Sequence, residues 1–180
     1  PPPRGPGPSR GRRDRGFTVV EVAPGADGRL CVDDLLDQVD RNTVLVACMA
    51  VNNETGAVQD IARLAREVKA KNSRTAVHID AVQAWLRLPL DMKKLPGVDT
   101  LTVSGHKVHA PKGIGALYLC ENQRQHLQPP YLGGHQERGI RPGTENVPYA
   151  VGLGLAAEQG ARRMRSAAGR AAALNARLRA

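Results

Sequence analysis

Aromatic residues are scarce in this chain of 180 residues, at 3% of the total, and cysteine occurs only three times. The cysteines lie far apart and form no CxxC pair, which argues against a zinc ribbon or a disulfide framework and indicates reduced thiols. No apolar run reaches the ~20 residues that a transmembrane helix needs, and the first residues lack the apolar core of a signal peptide. We therefore expect a cytoplasmic protein without a membrane segment.

Acidic residues are outnumbered, since 26 lysines and arginines stand against 17 aspartates and glutamates, for a formal net charge of +9. The excess lies at the two ends: residues 1–16 hold five arginines and one aspartate, and residues 161–180 hold six arginines and no acidic residue. A basic face with interleaved aromatic rings, which is typical of specific nucleic-acid binding, is absent. No specific nucleic-acid partner is therefore expected.

Three parts of the chain differ in composition. Residues 1–16 are so rich in proline, arginine and glycine that we expect a disordered tail. Residues 17–150 have the periodic apolar pattern of a folded core, and residues 151–180 are helix-rich. The helical part is predicted to break or kink near its glycines, which are Gly152, Gly154, Gly160 and Gly169.

Within the core, short β-branched runs alternate with segments of helical periodicity. Strands are predicted at residues 17–22, 43–49, 76–79, 100–103 and 116–119, and helices at residues 32–39 and 61–70, with a helical turn near 91–95. The alternation predicts an α/β fold with a doubly wound, mostly parallel sheet, whose last strand runs antiparallel because the connection before it is too short for a crossover. The continuous apolar run at 43–49 predicts a strand covered on both faces. Asp60 is the expected N-cap of the second helix.

Asn53, Asp80 and Lys107 each follow one of the predicted parallel strands. Because the carboxyl ends of parallel strands share one edge of a sheet, where open α/β folds bind their ligands, these side chains are expected to converge. A lysine desolvated at such an edge can form a Schiff base with a carbonyl compound. Taken singly, the lysine is as well explained as a solvated loop residue and the aspartate as a turn cap, so only their combination indicates a site.

Four segments in a fixed order carry this combination: VNNETG at 51–56, HIDAVQ at 78–83, SGHKVHAPKGIGALY at 104–118 and GGHQERGIRPGTEN at 133–146. Together they resemble the class V aminotransferase superfamily, and most closely its pyridoxal-phosphate-dependent cysteine desulfurases and selenocysteine lyases. The resemblance runs from about residue 17 to residue 158. It implies a fold-type I pyridoxal-phosphate-dependent transferase whose large domain is incomplete, because the family's upstream region and small domain have no counterpart in this sequence.

The resemblance also implies which residues bind pyridoxal 5′-phosphate. Lys107 is the expected catalytic lysine, which holds the cofactor covalently, and Asp80 is expected to keep the ring nitrogen protonated. The other expected cofactor-binding residues are Asn53 and Gln83 at the phenolic oxygen, and Ser104, the Gly105 backbone, His106 and, from the second subunit of a homodimer, Thr144 at the phosphate. Buried amides in an empty site of this kind are expected to lack hydrogen-bond partners.

Histidines add two expectations. His106 and His109 form an HxxH pair, but no third ligand lies near them in the sequence, so no metal site is predicted. His135 stands where the family usually has a third glycine, in a loop that Arg138 and Arg141 are expected to shape. If that position requires a positive φ, histidine is strained there.

The activity that the resemblance implies is removal of sulfur from L-cysteine, or a similar small amino acid, to give alanine and an enzyme persulfide, in the context of iron–sulfur cluster assembly. A sulfur-acceptor protein is a further expected partner. Cys31, Cys48 and Cys120 do not match the family's persulfide cysteine, so we expect a fragment that carries the cofactor-binding half of the machinery. Two alternatives stay open: another class V aminotransferase or lyase, and a non-catalytic protein that binds through its basic ends.

Overall fold

A computed structural model of the protein describes residues 16–179. In chain order the helices and strands are α1 (Val32–Asp37), β1 (Leu45–Met49), α2 (Ile61–Lys71), β2 (Ala76–Asp80), β3 (Thr100–Ser104), β4 (Gly115–Leu119), α3 (Glu121–Arg124) and α4 (Val147–Arg179). Three short 3-10 turns lie between them, at Met92–Lys94, Gly105–Lys107 and Gln136–Gly139. The expected disordered tail, residues 1–16, lies outside the described residues except for Gly16.

Four strands form one mixed sheet in the order β1-β2-β3-β4. The first three strands run parallel, and β4 pairs antiparallel with β3. The register places Cys48 opposite Ile79, Ile79 opposite Leu101, and Leu101 opposite Tyr118. The predicted α/β class with a mostly parallel sheet and an antiparallel last strand is thus confirmed, and in residues 16–179 the strands follow one another in chain order.

The hydrophobic core lies between α1, α2 and one face of the sheet. Side chains alternate between the two faces of a strand, and in β2 Val77 and Ile79 are fully buried whereas His78 is only half-buried. The core-facing residues of α2 repeat at the spacing of one helical face and are Ile61, Leu64, Ala65 and Val68, all buried. Each large aliphatic side chain buried in this way contributes roughly 1.5–3 kcal/mol to folding.

The helices predicted at residues 32–39 and 61–70 are confirmed, and side chains at their N-terminal ends stabilise them. Asp60 caps α2, because its carboxylate accepts a hydrogen bond from the Arg63 N–H at 3.0 Å. Helix α1 begins at Val32, with Asp33 and Asp34 in its first turn, where acidic side chains interact favourably with the helix dipole.

Two strand predictions are wrong. Residues 17–22 are not a strand in the structure despite their β-branched composition. Strand β1 is not covered on both faces: Val46 is buried on the core face, and Ala47 is exposed on the other. Strand β1 is therefore an edge strand of the described sheet, with one face on the core and the other exposed to solvent.

Helix α4 is an unbroken helix of 33 residues, so the predicted breaks at its glycines are wrong. Two of these glycines are instead points of close approach. A Cβ at Gly152 would lie 3.0 Å from Pro111 Cδ, and a Cβ at Gly160 would lie 2.8 Å from Leu86 Cδ1. Among the described residues, no helix is long and apolar enough to cross a membrane.

Candidate functional site

Strands β1, β2 and β3 end at the same edge of the sheet, and the segments that follow them carry the predicted site residues. The ladder continues to that edge, where the Ala50 N–H donates to the Asp80 carbonyl at 2.8 Å and the Ala81 N–H donates to the Thr102 carbonyl at 2.9 Å. Asp80 ends β2, and Lys107 ends the single turn that follows β3. The predicted arrangement of Asp80 and Lys107 at neighbouring strand ends therefore agrees with the topology.

Asp80 is half-buried, and one of its carboxylate oxygens closes a turn. Its Oδ1 accepts a hydrogen bond from the Val82 N–H at 2.9 Å, which is the turn-capping role expected of a strand-end aspartate. In residues 16–179 the second oxygen has no hydrogen-bond partner. One oxygen thus fixes the carboxylate while the other stays available to a ligand.

Lys107 lies in a tightly closed loop. The Val108 and Ala110 N–H groups both donate to the Gly105 carbonyl, at 2.9 and 3.1 Å, so the chain folds back immediately after β3. His109 follows with φ 67°, in the left-handed region. The Lys107 carbonyl accepts a hydrogen bond from Arg87 Nη2 at 2.7 Å. The half-buried Lys107 therefore lies in a loop that is held by hydrogen bonds to the Gly105 carbonyl and by the hydrogen bond from Arg87.

The residues expected at the phosphate are only partly available to it. Ser104 Oγ and His106 Nδ1 lie 2.7 Å apart and are hydrogen-bonded to each other, and His106 is exposed. The Gly105 N–H donates to the Ile114 carbonyl at 2.9 Å, and the assignment of the Gly105 backbone to the phosphate stays a prediction. Gly105 is also needed for close packing, because a Cβ there would lie 2.9 Å from Ile114 Cγ2.

The two amides expected at the phenolic oxygen lie near the edge without being buried. Asn53 is exposed and Gln83 is half-buried. No buried side-chain nitrogen or oxygen of the described residues lacks a partner, so the expectation of unsatisfied buried amides is wrong. Asn52, which sequence reasoning missed, holds this turn, because its Oδ1 accepts hydrogen bonds from the Glu54 and Thr55 N–H groups at 2.9 and 2.8 Å.

The loop at 133–146 is exposed around Thr144 and ends where Asn146 caps α4 by accepting a hydrogen bond from the Tyr149 N–H at 3.2 Å. His135 has φ −96°, so no strain follows from the absence of glycine there. The positive φ values fall on Glu137 and Arg138, at 48° and 60°. The assignment of Thr144 to a phosphate in a second subunit stays a prediction.

Cys48 is an unreactive thiol in this arrangement. It lies in β1, and burial raises the pKa of its thiol to about 11, so the thiolate is almost absent at neutral pH. Cys31 is exposed, and Cys120 is half-buried beside Asp99 at the opposite end of β3 from Lys107. The described residues contain no group of three or more histidine, cysteine, aspartate or glutamate side chains placed to hold a metal ion.

Comparison with known proteins gives a consistent result. A family model described as aminotransferase class-V matches residues 9–179. A cysteine desulfurase from Nostoc sp. strain PCC 7120 is 49% identical over 144 residues, and a mitochondrial cysteine desulfurase from Candida albicans is 40% identical over 152 residues. The two matches cover 80% and 83% of this chain but 35% and 30% of the relatives, so the chain spans about a third of their length.

Solved structures agree with the fold. A NifS-like protein superposes with a TM-score of 0.85 at 39% identity, covering 92% of this chain and 45% of the other. A structure described as SspA in complex with cysteine gives a TM-score of 0.76 at 38% identity, covering 81% of this chain and 41% of the other.

Proposed function

The chain belongs to the class-V aminotransferase family, and on that premise we propose that it is the cofactor-binding part of a cysteine desulfurase that uses pyridoxal 5′-phosphate. The observation that carries this proposal is the pair formed by Asp80 and Lys107 at neighbouring strand ends. It is supported by the relatives that are cysteine desulfurases at 40–49% identity. Their substrate, L-cysteine, is the proposed substrate of the intact protein, with alanine and a persulfide as products.

The residues at the strand ends fit the cofactor. They offer an amine at Lys107, a carboxylate oxygen at Asp80 that receives no hydrogen bond from residues 16–179, and a hydroxyl at Ser104. When bound, pyridoxal phosphate supplies an electron-withdrawing ring that stabilises negative charge on the substrate α-carbon. The chain's part is to hold the cofactor through Lys107 Nζ and to keep a proton at the ring nitrogen with Asp80.

The remaining proposed contacts are polar. Asn53 and Gln83 are proposed to donate to the phenolic oxygen, Ser104 and His106 to bind the phosphate, and Thr144 to reach the phosphate of a second copy in a homodimer. A cytoplasmic location, a sulfur-acceptor protein and a place in iron–sulfur cluster assembly complete the proposal. Cys48 is excluded as the sulfur carrier because its thiol stays protonated near neutral pH.

The test is to add pyridoxal phosphate, reduce with borohydride and map the modified lysine by mass spectrometry. We expect a visible absorption band and a label on Lys107 in the unaltered chain. Lys112 is exposed in the same loop, so Lys107→Ala should abolish the band while Lys112→Ala retains it. A label on Lys112 and other surface lysines with Lys107 unmodified would refute the proposal.

The same experiment separates the proposed reaction from that of another class V enzyme. Amino acids are added one at a time, and the displacement of the visible band is followed for each. We expect L-cysteine to act at lower concentration than alanine or serine. A stronger response to a different small amino acid would favour an aminotransferase or lyase of the same family.

A further inference from the structure

Arg87 connects the two segments on which the proposed function rests. Its Nη2 donates to the Lys107 carbonyl at 2.7 Å, and its Nη1 lies 3.4 Å from the Gln83 carbonyl. We propose that Arg87 is a positioning residue, which holds the Lys107 loop against the turn that begins at Asp80. The proposal deepens the proposed function and depends on it. Arg87 acts through the backbone and is not assigned a contact with the substrate.

The Lys107 carbonyl needs this partner. Among residues 16–179 it receives no other hydrogen bond, because the N–H groups of Val108 and Ala110 are both directed to Gly105. His109, two residues after the lysine, has φ 67°, a strained backbone conformation for a residue other than glycine. A guanidinium is a strong, charge-assisted donor with a rigid fork, so one side chain can fix a peptide group that the loop itself leaves free.

Arg87 is in turn held by a compact turn. The Trp85 N–H donates to the Ala81 carbonyl at 2.8 Å, and the Leu88 N–H donates to the Ala84 carbonyl at 2.9 Å. Leu86, immediately before Arg87, has φ 60°, which is uncommon for a bulky residue. A strained conformation of this kind persists only when neighbouring contacts hold it, and one such contact is the packing of Leu86 against α4.

Helix α4 packs on both segments through its glycines. Gly160 faces Leu86, and Gly152 faces Pro111 in the loop that follows Lys107. The helix therefore contacts the turn that carries Arg87 and the loop that Arg87 holds. Displacing α4 at Leu86 should move the guanidinium away from the Lys107 carbonyl.

The experiment compares Arg87→Gln, Arg87→Lys and Arg74→Gln in the full chain. Arg74 is exposed, so its variant removes the same charge away from the site. With pyridoxal phosphate and borohydride, Arg87→Gln should lower the fraction of label found on Lys107 roughly tenfold relative to surface lysines, as expected for loss of one charge-assisted hydrogen bond. Arg87→Lys should recover part of the loss, and Arg74→Gln should match the unaltered chain. Visible circular dichroism of the bound cofactor should weaken in parallel.

A second pair of variants tests the same inference without changing Arg87 itself. Gly160→Leu pushes on Leu86 and should lower labelling of Lys107, whereas Gly169→Leu, at a position with nothing within 4 Å, should not. If Lys107 is labelled in the unaltered chain and labelled equally in Arg87→Gln and Gly160→Leu, this inference is wrong and the proposed function stands. Absence of Lys107 labelling in the unaltered chain overturns the proposed function and this inference with it.

Discussion

At the scale of single residues, the ion pair between Lys69 and Asp99 joins α2 to the sheet. Lys69 Nζ lies 2.6 Å from Asp99 Oδ2, whose side chain is only 8% exposed, and it also donates to the Thr75 carbonyl at 2.8 Å. The Val77 N–H donates to the same carboxylate oxygen at 2.6 Å. Removing the carboxylate therefore leaves the Lys69 ammonium without its counter-ion and the Val77 N–H without its acceptor, in a largely buried place.

We expect Asp99→Ala to lower the free energy of unfolding by about 3 kcal/mol, the cost of breaking one side of a buried pair. The control is Arg162→Ala, which removes an exposed pair with Glu158 and should change stability by less than about 1 kcal/mol. Urea denaturation followed by far-ultraviolet circular dichroism measures both. Equal, small losses would show that the Asp99 pair is not a structural link.

Cys48 gives a prediction of reactivity. Because burial raises the pKa of its thiol to about 11, it should resist iodoacetamide in the native protein at mildly alkaline pH, while the exposed Cys31 is alkylated. Mass spectrometry of peptides from the labelled protein distinguishes the two. Labelling of Cys48 as fast as Cys31 before unfolding would contradict the buried position.

The same thiol gives a prediction of pH dependence. The unfolded thiol ionises near its ordinary pKa of 9.0, whereas the folded thiol stays protonated up to about 11. Stability from this group is therefore complete below pH 9 and is lost as the pH rises towards 11, by roughly 1–2 kcal/mol once partial exposure is allowed for. Urea titrations across this range should show a shallower decline for Cys48→Ala. Identical slopes would rule the linkage out.

Sequence reasoning identified residues whose role is local and missed those whose role depends on distant partners. Asp60 was predicted as an N-cap because the signal lies within one helical turn, and the structure confirms it. Arg87 gave no signal, since its acceptor at Lys107 lies 20 residues away in the sequence. The hydrogen bond of the Gly105 N–H gave no signal in the sequence either, because its acceptor, the Ile114 carbonyl, lies beyond the Lys107 loop, just before β4.

At the scale of elements, the glycines of α4 are of two kinds: some face open space and others allow close packing. Gly154 and Gly169 face open space, whereas Gly160 faces Leu86 at a distance that a methyl group cannot share. Helix propensity alone favours alanine over glycine by about 1 kcal/mol. We expect Gly169→Ala to raise the helix content and stability slightly, and Gly160→Ala to gain nothing because Leu86 must move. Thermal melting of the two variants tests this, and an equal gain in both would show that α4 does not pack on Leu86.

A helix could be predicted from the periodicity within its own segment, whereas a strand also depends on packing against other parts of the chain. Helix α2 follows directly from the spacing of its four buried apolar residues. Residues 17–22 have the composition of a strand, but strand propensity depends on packing context that composition does not contain. The glycine positions in α4 suggested breaks, because a sequence does not reveal whether a missing Cβ serves flexibility or close packing.

At the scale of the whole molecule, the first turns of α4 expose an apolar stripe. Val147, Val151 and Leu155 lie one helical turn apart and are 62%, 67% and 54% exposed. Contiguous apolar surface of this kind promotes association. We expect Val151→Lys to reduce concentration-dependent association in sedimentation velocity, and Leu178→Lys, which changes a side chain at the far end of the helix, to leave it unaltered. Equal effects would show that the stripe is not the contact surface.

The chain-order arrangement of the strands has a consequence for how the protein is made. Each parallel strand finds its partner in the one synthesised just before it, as the pairs Cys48 with Ile79 and Ile79 with Leu101 illustrate. Because each pairing joins strands that are neighbours in the sequence, the sheet can grow one strand at a time as the polypeptide leaves the ribosome. Of the described elements, α4 is synthesised after the segments that carry Leu86 and Pro111, with which it makes contact. The loop that carries Lys107 is therefore synthesised before the helix that packs against it.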